Sequence, residues 1–479
     1  MSHSRIGRAA AVGVLVPLLL PAGALAQQPT PIETIADELN TTWIMVATVL
    51  VFFMQAGFAF LEIGFSRGKN AGMGIPKILV NFSVGSLVWW VVGFGIAFGG
   101  GGWLAGDSGF LFQIGRDVAG EAATAGTAGF FVFQMMFVCV SLAIVWGTTL
   151  ERIKFGAYVA FAVVFAGVIY PVIAHWGWGG GLFAEIGNGV QDFAGSSIVH
   201  LTGATAGLAA VLLLGPRKGK YGPDGRPRAI PGHNMPLFGL GVLILWLGWF
   251  GFNGGSTLGT GGNGMAEVIA VTNLGAAGGV VGASLMIYLM WRKLDVGMVG
   301  NGAIAGLVAI TAGCGYVEMW AAPLIGFVGG LVVVGGVIAI DRRIDDPVGA
   351  LSAHGLAGIW GTLALGIFAS DRLVESLGVG DPGLLYGGGL TQLGVQAAAV
   401  ALTFATVLAL SLAVFAIIKV TIGLRISEAD EDAGLDIAEH GMYGYPEQFI
   451  PAPELEGYGA MSAPRPRPVA QPTPQEATA

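Results

Sequence analysis

The chain has 479 residues, of which 54% are hydrophobic and only 11% charged, with a formal charge of −8. Several apolar runs exceed the roughly 20 residues that span a bilayer. Composition therefore excludes an ordinary soluble domain, continuous rather than alternating apolarity excludes a β-barrel, and the modest negative charge argues against a nucleic-acid partner.

Residues 1–26 read as a signal peptide. Arg5 and Arg8 form a basic start, Ala9 to Leu20 an apolar core, and Ala24-Leu-Ala26 a small-x-small cleavage site before Gln27. An uncleaved anchor is the alternative. Residues 27–424 then carry eleven predicted spans, at about 42–65, 76–99, 125–149, 156–176, 195–215, 236–256, 265–291, 300–317, 320–340, 348–370 and 393–423. The 81 glycines suit closely packed membrane helices, because small side chains let backbones approach. Cys139 and Cys314 fall inside apolar runs and read as inert packing residues, not a disulfide. Residues 425–479 form a tail. It opens with an acidic stretch (Glu428, Asp430, Glu431, Asp432), and residues 451–479 are rich in Pro, Ala and Gln, a disordered composition.

An odd number of spans puts the termini on opposite sides, so a secreted N-terminus makes the tail cytoplasmic. The basic residues test this independently. The predicted inner loops carry Arg67, Lys69, Arg152, Lys154, Arg217, Lys218, Lys220, Arg226, Arg228, Arg292, Lys293, Arg342 and Arg343, and the outer loops only Arg116 and Arg372.

One motif occurs twice. Asp192-Phe-Ala-Gly195 leads to His200, and Asp346-Pro-Val-Gly349 leads to His354, with the same spacing. Span five begins outside and span ten inside, so the motif runs in opposite directions, as an inverted repeat of five plus five spans requires. Eight residues of helix rise about 12 Å. In a core about 30 Å thick, both histidines then reach the midplane from opposite faces. A neutral imidazole has one donor and one acceptor nitrogen. Two neighbouring rings could share a hydrogen bond, line a narrow polar path and pass a proton. That suits a small polar solute or a cation able to shed a proton; it suits a bare metal ion poorly. The alternative for each histidine is a hydrogen bond to a neighbouring helix. Both aspartates read as helix N-caps, and Asp192, below an outer vestibule, also favours cations. His175 and His233 fall near span ends and read as interfacial. No metal site, cofactor or nucleophile–base pair is evident, so an enzyme is not expected.

Aromatic residues supply a second constellation. Phe133 and Phe137 share a helical face in span three. Trp249, Phe252 and Ser256 share a face in span six, and Trp178 ends span four. Aromatic faces with a hydroxyl could hold a partly dehydrated ammonium-type cation. Membrane belts and core packing are the alternative.

The ordered motifs resemble those of the ammonium transporters, the Amt/Mep/Rh family, and look more bacterial Amt than Rh. They are Asp192 to Gly203, His354, Gly248-Trp-Phe-Gly-Phe-Asn-Gly-Gly-Ser256, Glu151-Arg-Ile-Lys-Phe155, His233-Asn-Met-Pro236, and Gly423-Leu-Arg425 to Glu439-His-Gly441. The match runs from about residue 38 to 447. The resemblance implies an all-α membrane protein of eleven transmembrane helices, five plus five inverted and one extra, forming a homotrimer with one central pore per subunit. It implies His200 and His354 as the pore's twin histidines. Phe133, Phe137, Trp178 and Ser256, supported by Asp192, would recruit ammonium, and Phe137 with Phe252 would form a phenyl gate. Ammonium would lose a proton near that gate and ammonia would pass. A PII-type regulator of nitrogen metabolism would bind at the cytoplasmic face of the bacterial inner membrane. Residues 179–191 look longer than in some members, which bears on Trp178. An ammonium sensor acting through a soluble partner, with little flux, is the rival reading; an Rh-like gas channel is a third.

Overall fold

The structure, a computed structural model, describes residues 31–261 and 264–449. The signal peptide and residues 451–479 lie outside the described residues. Ten described helices are long and apolar enough to cross a membrane. The first seven are α1 (Thr34–Phe65), α2 (Gly68–Phe98), α3 (Ala125–Thr148), α4 (Phe155–Ala184), α5 (Ser196–Leu214), α6 (Met235–Gly255) and α7 (Gly264–Trp291). A shorter apolar helix of 16 residues follows, α8 (Val296–Thr311). Then come α9 (Ala321–Ile340), α10 (Leu351–Phe368) and α11 (Thr391–Thr421).

The order matches the predicted spans, but α8 stops short of the expected 300–317. Its end is spent on α5. Phe193 N donates to Ala312 O at 3.0 Å, and Ala312 N donates to Ser196 Oγ at 2.7 Å. Those bonds replace the ones a further helical turn would make.

Local sequence explains several helix starts. Thr124 and Thr127 form a capping box ahead of α3. The Asn234 side chain accepts from Leu237 N, with Pro236 in the first turn of α6. Asp295 caps α8. The long connection between α2 and α3 carries a two-residue antiparallel pairing, β1 (Asp117–Val118) with β2 (Glu121–Ala122).

The glycines permit close crossings. A Cβ on Gly326 of α9 would stand 1.9 Å from Gly275 O of α7, and one on Gly241 of α6 would stand 2.4 Å from Leu61 N of α1. Only hydrogen fits at such crossings, so backbones pack directly. Cys139 and Cys314 are buried and unpaired.

The described part of the tail folds back on the helix ends. Asp436 accepts from Gly72 N, Met73 N and Gly444 N, each at 2.9 Å. Arg425 reaches Glu431 at 2.6 Å, and Lys69 Nζ donates to the carbonyls of Glu431 and Asp432. Beside this end Arg217 bridges two buried carboxylates, Asp345 at 2.9 Å and Glu151 at 3.4 Å. Burial alone would raise the Asp345 pKa, but the bonds and charge of Arg217 outweigh it and hold Asp345 down to about 2.

Candidate functional site

The repeated motif builds the same structure twice. Asp192 Oδ1 accepts from Gly195 N at 2.8 Å and Ser196 N at 2.9 Å. Its Oδ2 accepts from Ser197 N at 2.8 Å and Ile198 N at 3.0 Å. Asp346 accepts from Gly349 N at 3.1 Å and Leu351 N at 2.7 Å. Each glycine sits at positive φ, +116° for Gly195 and +76° for Gly349, where a Cβ is disfavoured. That turn aims successive N–H groups back at the carboxylate. Both helices then open with a wide π turn, Ser196–Leu201 and Leu351–Leu356, of the kind often found at functional sites.

Those wide turns bring the two histidines together. His200 and His354 are 0% and 5% exposed. Their Nδ1 atoms lie 3.2 Å apart, with ring centroids at 5.3 Å. One Nδ1 must therefore carry a proton and the other accept it. His200 Nε2 is buried and has no hydrogen-bond partner among the described residues.

Aromatic rings continue the line away from His200. Its ring lies 5.1 Å from Trp249 and 5.5 Å from Phe252. Phe252 stacks on Phe137 at 4.1 Å and 23°. Phe137 meets Phe133 at 4.8 Å and Trp178 at 5.9 Å, both edge to face. Trp178 Nε1 donates to the Asp192 carbonyl at 2.8 Å, so the long 179–191 connection leaves Trp178 beside Phe137. Gly255 packs on Phe133, where a Cβ would stand 2.7 Å from the ring. Ser256 follows, half-buried. Its hydroxyl donates to Phe252 O at 2.8 Å, leaving its lone pairs to accept from a cation. Asp192 itself is 6% exposed and its carboxylate is engaged by four backbone N–H groups, while its main-chain carbonyl holds Trp178.

On the other side of His354 lies a cavity. Phe58, Glu62, Gly147, Asn301 and Val348 line it with His354. Rings, histidine pair and cavity thus form one series.

The family model described as "Ammonium Transporter Family" matches residues 42–445. The chain belongs to the ammonium transporter family. It is 42% identical over 461 residues to ammonium transporter Amt2 of Archaeoglobus fulgidus, covering 93% of this chain and 97% of that one. It is 34% identical over 410 residues to the ammonium transporter of Bacillus subtilis, covering 85% and 98%. Among solved structures it resembles one titled "Sensor Amt Protein", with TM-score 0.79, 36% identity, and coverage of 85% of this chain and 100% of that chain. It also resembles Mep2 of Candida albicans, with TM-score 0.77, 27% identity, and coverage of 89% and 95%. The Archaeoglobus and Bacillus relatives are ammonium transporters by name, not enzymes.

Within this family member, Phe58 and Glu62 near the histidine pair escape the sequence reading, and the contact made by Trp249 does too. Trp249 was grouped with the aromatic residues, yet it covers His200, held by its Nε1–H bond to Thr311 Oγ1 at 2.8 Å. Phe58 lies 6.3 Å from His354. Glu62 had a visible signal, a carboxyl inside an apolar run. His175, near the end of α4, is 1% exposed, its ring nitrogens 3.0 Å from Ala97 O and 2.8 Å from Gly102 O just past the end of α2. His233 is half-buried, and its Nε2 lies 3.1 Å from the Tyr445 hydroxyl of the tail.

Proposed function

We propose that the chain moves ammonium or ammonia across a bacterial inner membrane. The observation that carries the reading is the unbroken series of stacked Phe137 and Phe252, the His200–His354 pair, and the cavity beyond. Phe133, Phe137 and Trp178 offer ring faces to a cation, and Ser256 offers an acceptor. The buried charge of Asp192 favours the cation there. A bare cation cannot pass closely stacked rings without losing its hydration at high cost. Ammonium can give up a proton to the histidine pair and continue as ammonia.

In this reading residues 1–26 are removed as a signal peptide and residues 27–424 form the transport domain. The N-terminus is outside and the tail cytoplasmic, where a PII-type regulator binds near the docked tail. The working unit is a homotrimer with one pore per subunit.

The test is purified protein in proteoliposomes, with ammonium uptake and current followed together. Ammonium-dependent flux supports the proposal; absence of flux opposes it. The likeness to the structure titled "Sensor Amt Protein" favours a second reading, an ammonium sensor acting through a soluble partner. Ammonium-dependent binding of such a partner, with no flux, would select it.

A further inference from the structure

The cavity beyond the histidine pair holds a carboxyl that the transport reading leaves unused. Glu62 of α1 is 3% exposed and lines that cavity with His354 and Asn301. Gly147 of α3 makes room for it, since a Cβ there would stand 3.1 Å from Glu62 Oε1. An ionisable group inside a membrane needs a compensating partner or a function.

Lys77 of α2 is the basic group whose charge acts on Glu62, but no ion pair joins them among the described residues. Lys77 is 1% exposed. Its Nζ has no hydrogen-bond partner among the described residues and lies 3.3 Å from the centre of the Trp146 ring, a cation–π arrangement. Glu439, Glu151 and Asp436 also act on Lys77. Tyr158, edge-on to Trp146, faces the same region and hydrogen-bonds Asn81 and Leu142 O. Here the lysine is held by a ring and the carboxyl faces the cavity.

The cavity leaves about 20 Å³ for the centre of a water molecule, more than the ~10–15 Å³ that one water requires. Glu62, Asn301 and His354 supply the two to four polar partners such a water needs.

We propose that Glu62 is the proton acceptor at the inner end of the histidine path, an assignment that rests on the transport reading above. Ammonium gives one proton to the histidine pair and becomes ammonia. The imidazolium of His354 passes a proton to the cavity water, and that water passes one to the Glu62 carboxylate. Both imidazoles are then neutral again and Glu62 is a neutral acid. Glu62 then releases the proton to water on the inner side and is a carboxylate again.

The test compares the full chain with Glu62→Gln and Glu62→Asp in proteoliposomes on a solid-supported membrane, over a pH series. Ammonia flux is read in parallel with an internal pH dye. Glu62→Gln lowers the ammonium-evoked current at least about tenfold while ammonia flux persists; Glu62→Asp retains current with a shifted pH dependence. A Glu62→Gln current equal to wild type at every pH overturns the assignment. So does equal loss of current and flux in both variants, which marks a structural role. Wild-type flux without current overturns the relay and leaves the transport reading standing; absence of any wild-type flux overturns both.

Discussion

At the scale of single residues, the histidine contact is the polar link at the centre of the series. Replacing either ring removes one half of the shared Nδ1 hydrogen bond. His200→Ala or His354→Ala is therefore expected to change ammonium selectivity and reduce proton-coupled current by about a hundredfold, measured in proteoliposomes against wild type. Phe252 acts differently. It stacks on Phe137 on one side and touches His200 on the other, so its ring stands between the outer aromatic residues and the histidine pair. Phe252→Ala should admit potassium, seen as a potassium current absent from wild type. Ser256 and Asp192 are both legible as residues of interest, and Asp192 also as a helix cap, but the number and partners of their bonds are not. The hydroxyl of Ser256 spends its proton on Phe252 O. The Asp192 carboxylate is committed to four backbone N–H groups. Spacing alone could not show where those bonds go.

At the scale of elements, Gly195 decides how α5 begins. Its φ of +116° and a Cβ position 2.5 Å from Val199 leave no place for a side chain. Gly195→Ala is expected to destabilise the protein by more than about 1 kcal/mol and to weaken transport by tilting His200, checked by thermal melting and flux on one sample. Charge fixes the opposite end of the bundle. Asp345 is 2% exposed and held down to about 2 by Arg217. Its folded pKa is below the unfolded one, so the stabilisation is complete above about pH 4 and is lost as pH falls through about 2. It amounts to about 2 kcal/mol. Asp345→Asn leaves Arg217 with only its longer contact to Glu151 and should cost about 3 kcal/mol, read as a lower Tm in detergent and a weaker acid dependence between pH about 4 and about 2.

At the scale of the molecule, the duplicated Asp-x-x-Gly-x-x-x-x-His motif made most of the architecture legible. It marked the two helices that meet at the centre, and the apolar runs marked the others. What sequence missed depends on contacts between distant segments. The early end of α8 follows from bonds between Ala312 and the entry to α5. Trp249 over His200 needs α6, α5 and the Thr311 anchor together. The Glu62 cavity appears only when α1, α3, α8 and α10 converge on it. In the proposed function this converged path carries ammonium by taking its proton and excludes ions that have none to give. The most direct measurement is the current evoked in wild-type proteoliposomes by equal concentrations of ammonium and of potassium. A response to ammonium and none to potassium is expected; equal responses to both, or none to ammonium, overturn the proposed function.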